Sequence, residues 1–395
     1  MIFKYFAENC KEKIFNECFL PLYRDAEKEY EEQGAFFLER TYIESVNRET
    51  NAYPRILSLL TEEADRIKED VPAVKYALFI YKAMCQRKLF LDNLKYLMLP
   101  KEYELFGFLC LIPMIKKTYY TLMKMGLDKD IIDATVKQYE ECVFIYERRF
   151  DRLGMNKRYF DWLQHYVDCE ILNVNRLRFE IHKLSEPIYM LREISNGEDI
   201  LVIGEGEFNS DGFYSDTPPK QKAAFKCSFS ESEDAYISYR VSGGGRATSD
   251  KVSYPKSKYK MLMGKGDSVL SVHIPVEGEL SIEACDSSYK RAKEVFAKFF
   301  PTLDVKGFVC YSWMMSPELK LYVKENSRVL GFASKYLRFP IHTEGEDVLN
   351  FVFYLKFKTY EDLPQDTLLQ RNLKALYLNG GKLYEYGGVF AIDKI

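Results

Sequence analysis

The stretch SVLSVHIP, Ser268 to Pro275, carries one of the four histidines of this 395-residue chain close to its end. Its alternation is that of a strand, in which Ser271 and His273 share one face and Leu270 and Val272 share the other. A neutral imidazole titrates near neutral pH, so His273 could act as a general base. The alternative is a histidine held by a hydrogen bond to a neighbouring strand.

Three further side chains could take part in the same chemistry. Glu180 lies on the polar face of RLRFEI and is a second candidate for the base, or else forms an ion pair with a nearby arginine. CYSWMMSPEL places Cys310 and Ser312 on one face at the end of a strand. Ser312 could donate a proton or a hydrogen bond to a substrate. Cys310 could be a thiol nucleophile, although a small buried thiol is the more common case.

A possible anion site follows the His273 strand. The loop Val276 to Asp286 leads into a helix that is predicted to begin near Ser287, with Asp286 or Ser287 as its cap. Free N–H groups at a helix N-terminus attract anions, so Ser287, Ser288 and the backbone beside them could hold a phosphate. Lys290 and Arg291 would add positive charge. The alternative is an ordinary capped helix that binds nothing.

Composition excludes several classes of protein. Its 56 basic and 59 acidic residues leave a net charge of -3, whereas a nucleic-acid-binding protein needs a basic surplus. Nine cysteines without a CxxC pair, four histidines and no HExxH predict no dedicated metal site. The longest apolar run, LFGFLCLIPMI, is too short to span a bilayer, and MIFKYFAENCKEK lacks the apolar region of a signal peptide. We therefore expect a cytoplasmic protein without nucleic-acid or membrane partners.

The elements that position the candidate residues change in character along the chain. Up to about Leu172 the sequence is helical, and Ala73 to Met98 in particular shows apolar residues at helical spacing. NRLRFEIHKL then alternates like a half-buried strand. Residues 196–267 are rich in turn-forming types and predict a β-rich insertion, with a strand at DAYISYRVS.

Strands and helices alternate after the insertion, which is typical of an α/β layer. The predicted strands are SVLSVHIP, VKGFVCYSW, DVLNFVFYLKF and KLYEYGGVFAI. The predicted helices are DSSYKRAKEVFAKFFP, SPELKLYV and DTLLQRNLKALYLN. We expect an α+β chain with an all-helical domain over residues 1–160 and a mixed-sheet α/β domain over residues 161–395.

Several ordered stretches from about Asp161 to the C-terminus resemble a family of bacterial acyltransferase-domain proteins. These proteins pair a helical N-terminal domain with a GNAT-like C-terminal domain. The stretches are RLRFEI, GDSVLSVHIP, SSYKRAKEVFAKFFP, CYSWMMSPELK, ENSRVLGF and LPQDTLLQRNLKALYLNGGKLYEYGGVF. The resemblance implies that the second domain is GNAT-like and that SVLSVHIP is its central strand. In that fold the central strand pairs with the pantetheine arm of acyl-CoA, and the next helix N-terminus holds the pyrophosphate.

The resemblance implies an enzyme that moves an acyl group from an acyl-CoA or acetyl-CoA thioester to an amine on a small molecule. His273 would be the base, with Glu180 as the second candidate for it, and Ser312 would donate a proton or contact the oxyanion. Ser287, Ser288, Lys290 and Arg291 would lie at the phosphates. The family's thioester cleft would also hold Cys310.

Two alternatives stay open at the level of sequence. PVEGELSIEACDSS has one glycine and the acids Glu277, Glu279 and Glu283, where GNAT enzymes carry a glycine-rich loop around the pyrophosphate. This difference fits a non-catalytic ligand-binding or protein-interaction module on the same fold. A thiol-dependent transferase that uses Cys310 is the other alternative.

Overall fold

The structure is a computed structural model that describes residues 5–6, 10, 15–354 and 357–395. Much of MIFKYFAENCKEK, which is predicted to lack the apolar region of a signal peptide, lies outside the described residues. The chain divides into two compact units, one up to Asn173 and one from Val174 onwards. The boundary predicted at residues 160/161 falls within the helix Arg158–Val167 instead.

The first unit is helical, as predicted. Its α-helices among the described residues are α1 (Leu20–Gln33), α2 (Arg40–Thr50), α3 (Leu57–Lys68), α4 (Val71–Cys85), α5 (Arg87–Asn93), α6 (Phe106–Met125), α7 (Lys129–Phe150) and α8 (Arg158–Val167). They enclose one continuous core that is rich in phenylalanine and tyrosine. Over the residues described, no helix has both the length and the apolar character needed to cross a membrane.

Local sequence explains where these helices begin and end. The Asp70 carboxylate accepts the N–H of Ala73, and Pro72 occupies the first turn of α4, where its missing N–H costs little. The helix predicted from Ala73 to Met98 is in fact two helices, because Gln86 leaves the helical conformation between α4 and α5. Gly126 ends α6 in the left-handed conformation.

Strands are most frequent in the first half of the second unit. The strands among the described residues of the chain are β1 (Ile171–Val174), β2 (Leu177–Lys183), β3 (Ile188–Glu193), β4 (Asp199–Ile203), β5 (Glu205–Phe208), β6 (Phe225–Ser228), β7 (Ser230–Glu231), β8 (Ala235–Val241), β9 (Ala247–Pro255), β10 (Tyr259–Met263), β11 (Ser268–His273), β12 (Val305–Ser312), β13 (Leu337–Pro340) and β14 (Tyr386–Ala391). From β2 onwards the main sheet runs in the order β2-β11-β12-β14-β13. Its only parallel neighbours are β11 and β12, joined through a helix, so the sheet is mixed.

A second sheet forms the predicted β-rich insertion. It runs in the order β10-β3-β4-β8-β7, β9 pairs with β8, and β5 pairs with β6 beside it. The insertion begins earlier than predicted, because its strand β3 precedes the glycine- and serine-rich stretch on which the prediction rested. DAYISYRVS is a strand, as expected.

The helices of the second unit are α9 (Ile282–Phe299), α10 (Arg328–Ala333), α11 (Asp347–Phe351) and α12 (Leu368–Leu378). SPELKLYV forms a short 3₁₀ helix, Pro317–Leu321. The strand predicted at DVLNFVFYLKF is wrong over its first residues, which form α11, and its Leu355 and Lys356 lie outside the described residues. The run of β-forming residues there is better suited to packing into an apolar cluster with α12. The sequence prediction missed the short strand β13.

The two faces of the main sheet bury different partners. Helix α9 covers one face, where Tyr289 contacts the rings of Phe179, Phe308 and Phe390 with centroids 5.0–5.9 Å apart. The other face packs against the insertion through a cluster that includes Val269, Val309 and Met263 of β10. The second face also carries His273.

Candidate active site

His273 and Glu180 form a pair at the end of the central strand. The imidazole Nε2 lies 2.8 Å from Oε2 of Glu180. Strands β2 and β11 are antiparallel with Ser271 opposite Glu180 and His273 opposite Arg178, so the two partners are diagonal neighbours on one face. The His273 side chain is 32% exposed and that of Glu180 is 15% exposed. The structure thus brings together the two residues that the sequence singled out as candidate bases.

The main sheet opens beside this pair. β11 and β12 are paired from Ser268 and Val305 to Ser271 and Val309, and within the described strands the pairing ends there. β11 nevertheless stays with β2 as far as His273, and β12 stays with β14 as far as Ser312. The last residues of the two parallel strands therefore diverge. Because backbone N–H and C=O groups require partners, such a gap is suited to an extended ligand.

The register decides which β12 side chains reach the face of His273. Ser271 lies opposite Val309, so Val309 and Tyr311 share that face, whereas Cys310 and Ser312 point to the other one. The Ser312 hydroxyl accepts the N–H of Met314 at 3.1 Å and caps a 3₁₀ turn. Cys310 is 1% exposed, and burial raises the pKa of its thiol to about 12, so the nucleophilic thiolate is disfavoured. The structure does not bring either residue to His273.

Tyr311 is the residue of this face that the sequence analysis missed. Its hydroxyl donates to a carboxylate oxygen of Glu186, and its ring meets the edge of His182 with centroids 6.0 Å apart. Burial, and then the Glu186 charge, raises the pKa of Tyr311, so the phenol keeps its proton. The sequence around Tyr311 did not indicate that it lies on the same face as His273, because that depends on the register between adjacent strands.

Helix α9 begins earlier than predicted, and this displaces the proposed anion site. Its cap is Ser281, whose hydroxyl accepts the N–H of Ala284 at 3.1 Å. The prediction of Asp286 or Ser287 as the cap is therefore wrong. The reason is that the preceding residues Ile282 to Cys285 extend the helix by one turn. Ser287 and Ser288 lie in the second turn, and Lys290 and Arg291 in the third.

Three of these four side chains have partners within the fold. The Ser288 hydroxyl is fully buried, accepts the N–H of Arg176 and donates to the Ala284 carbonyl. The amide of Asn175 bonds both the Ser287 hydroxyl and the Arg291 guanidinium. Lys290 is exposed. This region therefore fastens the helix to the start of β2.

Sequence comparison now assigns the second unit. The family model described as GNAT-like C-terminal domain matches residues 171–390, more than half of the chain. The chain belongs to this family. The expected GNAT-like domain, preceded by a helical region, is confirmed. No curated protein matches the sequence significantly.

Solved structures of the same fold include an acyltransferase in complex with decanoyl-CoA and teicoplanin. It is 16% identical, with a TM-score of 0.56, and the alignment covers 89% of this chain and 99% of that one. A second is an acyltransferase in complex with CoA and 10C-teicoplanin, with the same identity, score and coverage. A mutant acyltransferase with octanoyl-CoA aligns with a TM-score of 0.55 at 16% identity, over 88% of this chain and 99% of that one.

In this GNAT-like domain, a side chain shapes the loop that follows the central strand. The Arg176 guanidinium donates to the carbonyls of Pro275, Gly278 and Glu279 at 3.0–3.1 Å. Burial lowers the pKa of Arg176. Glu279 also forms an ion pair with Arg328. These hydrogen bonds constrain the loop despite its single glycine, and one of its two acids, Glu279, is ion-paired.

The described residues of this GNAT-like domain and of the helical unit contain no group of three or more histidine, cysteine or acidic side chains that could hold a metal ion.

Proposed function

We propose that the chain is an acyltransferase that moves an acyl group from an acyl-CoA thioester to an amine. The observation that carries this proposal is the divergence of β11 and β12 beside the His273–Glu180 pair. The resemblance noted above implies that pantetheine pairs with the central strand at such a gap. Neighbours with the same fold bind decanoyl-CoA and octanoyl-CoA, which supports an acyl-CoA as the donor.

In the proposed reaction the amine attacks the thioester carbonyl carbon directly. The Nε2–H of His273 donates to Glu180, so Nδ1 of the same ring accepts a proton from the amine nitrogen, the new C–N bond forms, and the C–S bond then breaks. The proton finally passes to the departing thiolate, so the products are an amide and free CoA. Glu180 orients the imidazole through its 2.8 Å contact and stabilises the imidazolium that forms.

The candidate for the hydrogen-bond donor to the leaving sulfur is Tyr311 rather than Ser312. Tyr311 is on the His273 face and keeps its proton because burial raises its pKa; to serve as this donor it exchanges its hydrogen bond to Glu186 for one to the sulfur. Ser312 lies on the opposite face of the sheet. For the pyrophosphate we propose the backbone of the Arg176-bound loop and the first turn of α9, with Lys290 and Arg291 contributing charge only at longer range.

A non-catalytic acyl-CoA-binding module is the second candidate. Glu277 lies in the loop and Glu283 in the first turn of α9. Their negative charges repel phosphate and would weaken the binding of acyl-CoA. The two candidates differ in one property. In the enzyme the His273–Glu180 pair catalyses acyl transfer, whereas in the non-catalytic module it does not.

The first prediction concerns His273→Ala. A general base contributes roughly 10²–10⁴-fold to rate, so we expect kcat for transfer from decanoyl-CoA to an amine to fall by at least about 100-fold, with the Kd for decanoyl-CoA unchanged. Stopped-assay detection of free thiol measures the rate, and calorimetry measures binding.

His165→Ala is the matched control for this prediction. His165 contacts Glu170 at the same 2.8 Å distance and with similar exposure, but in the helical unit. Its loss should leave both rate and binding intact. Failure of decanoyl-CoA and free CoA to bind the wild-type protein at millimolar concentration would overturn the proposed function. Binding without any turnover would support the non-catalytic module.

A further inference from the structure

A cavity of about 370 Å³ opens next to Tyr311 in the GNAT-like domain. It is formed by the end of β12, the segment between β13 and α11, α11 itself, and the residue before β14. The lining side chains are Tyr311, Ile341, His342, Thr343, Glu344, Glu346, Asp347, Asn350 and Glu385. A volume of this size accommodates a small molecule or one arm of a larger one.

The cavity is negatively charged. Four carboxylates line it, and no lysine or arginine does so among the residues that the structure describes. Lys382 lies close by, but its ammonium donates to the backbone carbonyl of Glu344. His342 stacks on Tyr214 of the insertion at 3.8 Å and contacts the Asp216 carboxylate at 3.0 Å. The part of the cavity wall that contains His342 is therefore held in contact with the insertion.

Asp347 and Glu385 are the inner carboxylates of this cavity. Glu385 is 7% exposed and accepts the backbone N–H groups of Gly345 and Asp347, at 3.0 and 2.6 Å. The Asp347 carboxylate has no hydrogen bond or ion pair with any of the described residues. Burial, and then the charge of Glu385, raises the pKa of Asp347 to about 7. Asp347 is half-buried, and a partly desolvated carboxylate without a partner attracts an incoming cation.

A second buried polar group lies beside the same carboxylates. The Tyr377 side chain is 2% exposed and its hydroxyl has no hydrogen-bond partner in the described structure. Burial, and then the Glu385 charge, raises the pKa of this hydroxyl, so the two groups are within electrostatic reach. Tyr377 does not line the cavity; it lies behind the wall that Glu385 forms.

Tyr311 connects this cavity with the candidate active site. It lines the cavity, and it also lies on the His273 face of β12, beyond the point at which β11 and β12 separate. A substrate bound in the cavity would therefore reach the same strand gap that is proposed to hold the thioester.

We propose that the cavity is the acceptor subsite and that it binds the amine substrate as an ammonium cation, with Asp347 as its main counter-charge. This inference rests on the proposed function and names the acceptor class. The bound R–NH₃⁺ gives one proton to His273, the resulting R–NH₂ attacks the thioester carbonyl carbon, the C–N bond forms and the C–S bond breaks. A second proton passes from the amine nitrogen to the departing thiolate, and the proton on His273 is released to solvent. In this scheme Asp347 is a positioning residue that selects charge, and the proton does not pass through it.

The second prediction tests this selectivity with n-butylamine, which is cationic at pH 8, and with butan-1-ol as its neutral counterpart. We expect the wild-type protein to bind the amine and Asp347→Asn to bind it at least tenfold more weakly, as measured by nuclear magnetic resonance titration. Binding of butan-1-ol and of decanoyl-CoA should not change. Asp366→Asn, which removes an exposed carboxylate before α12, should behave like the wild type.

The outcomes separate the two proposals. If Asp347→Asn retained full affinity for butylamine while binding decanoyl-CoA normally, the acceptor subsite would be wrong and the acyltransferase proposal would stand. If neither the wild-type protein nor any variant bound decanoyl-CoA, the acyltransferase proposal itself would fail.

A measurement on the folded wild-type chain covers the case in which the variant does not fold. Butylamine affinity should rise between pH 6 and pH 8 as Asp347 ionises, and butan-1-ol affinity should not. The other titratable groups around Asp347 among the described residues are Tyr311, His342, Glu344, Glu346 and Glu385 of the cavity and the buried Cys310 thiol. If Asp347 causes the rise in butylamine affinity, His342→Gln should show the same rise. A butylamine affinity of the wild-type protein that does not change between pH 6 and pH 8 would contradict the inference.

Discussion

Carboxyl groups in this molecule are used in two different ways at the scale of the residue. Glu180 is close to His273 and complements a charge that forms on the imidazole. Asp347 has no such partner, and its pKa is raised because both burial and Glu385 disfavour its ionised form. A carboxylate in this second situation weakens the fold wherever it is ionised, which is typical of functional sites rather than of structural ion pairs.

The third prediction concerns the stability cost of Asp347. Its pKa of about 7 in the folded chain lies above the ordinary value of 3.8 for aspartate, so the folded state retains a proton that the unfolded state has lost. The stabilising contribution is therefore full below the unfolded pKa and is lost as the pH rises through the folded one. Relative to the wild type, Asp347→Asn should gain about 2–3 kcal/mol in free energy of unfolding between pH 5 and pH 8. Urea unfolding at both pH values measures this, and parallel pH profiles would contradict it.

At the scale of the element, α9 depends on a cap that lies one turn before the predicted one. Ser281 accepts the Ala284 N–H, and this turn also carries the exposed Ile282, whose side chain would contact any Cβ added at Gly331.

The fourth prediction is that Ser281→Ala lowers the free energy of unfolding by about 1 kcal/mol, as measured by chemical denaturation. Asp286→Ala, at the cap position predicted from sequence, removes no cap. A larger cap effect at Asp286 than at Ser281 would show that α9 begins where the sequence suggested.

Much of the element order could be predicted from the sequence, because alternation and helical spacing report burial within one element. β2, β11, β12, β14 and α12 lie where these patterns indicated. The secondary-structure predictions that were wrong have a common cause. A local sequence pattern does not indicate which distant residues an element packs against. α11 is rich in β-forming residues but packs as a helix, and α4 and α5 share one apolar pattern across a break at Gln86.

The candidate site was predictable only in part for the same reason. His273 and Glu180 each stood out on a polar strand face, but their 2.8 Å contact depends on the register between β2 and β11. Ser312 stood out as well, yet the β11–β12 register turns it away and brings Tyr311 to the site instead. The acidic cavity combines residues from β12, α11 and the start of β14, which lie far apart in sequence.

At the scale of the whole molecule, each of the two units has hydrophobic clusters of its own. One cluster is confined to the helical unit, and three others lie within the GNAT-like domain. An effect of acyl-CoA on stability should therefore be strongest in the domain that binds it. Ligand at a hundred times its Kd contributes about 2.7 kcal/mol to the folded state.

The fifth prediction uses hydrogen exchange to locate this effect. With excess decanoyl-CoA, amides near the ends of β11 and β12, which diverge after Ser271 and Val309, should gain the most protection. Amides of α1 to α8 should gain less. Greater protection in the helices than in these strand ends, measured by mass spectrometry, would contradict the location of the site.

The contact between the insertion and the cavity wall has a consequence for how acceptor preference can diverge among related chains. Tyr214 and Asp216 hold His342 from the insertion, whereas the His273–Glu180 pair belongs to the main sheet. Replacement of the segment around Tyr214 would change the entrance to the cavity without altering β2 or β11. With the cavity as the proposed acceptor subsite, recognition of the acceptor could evolve, or be engineered, as a separate module while the proposed thioester chemistry is inherited unchanged.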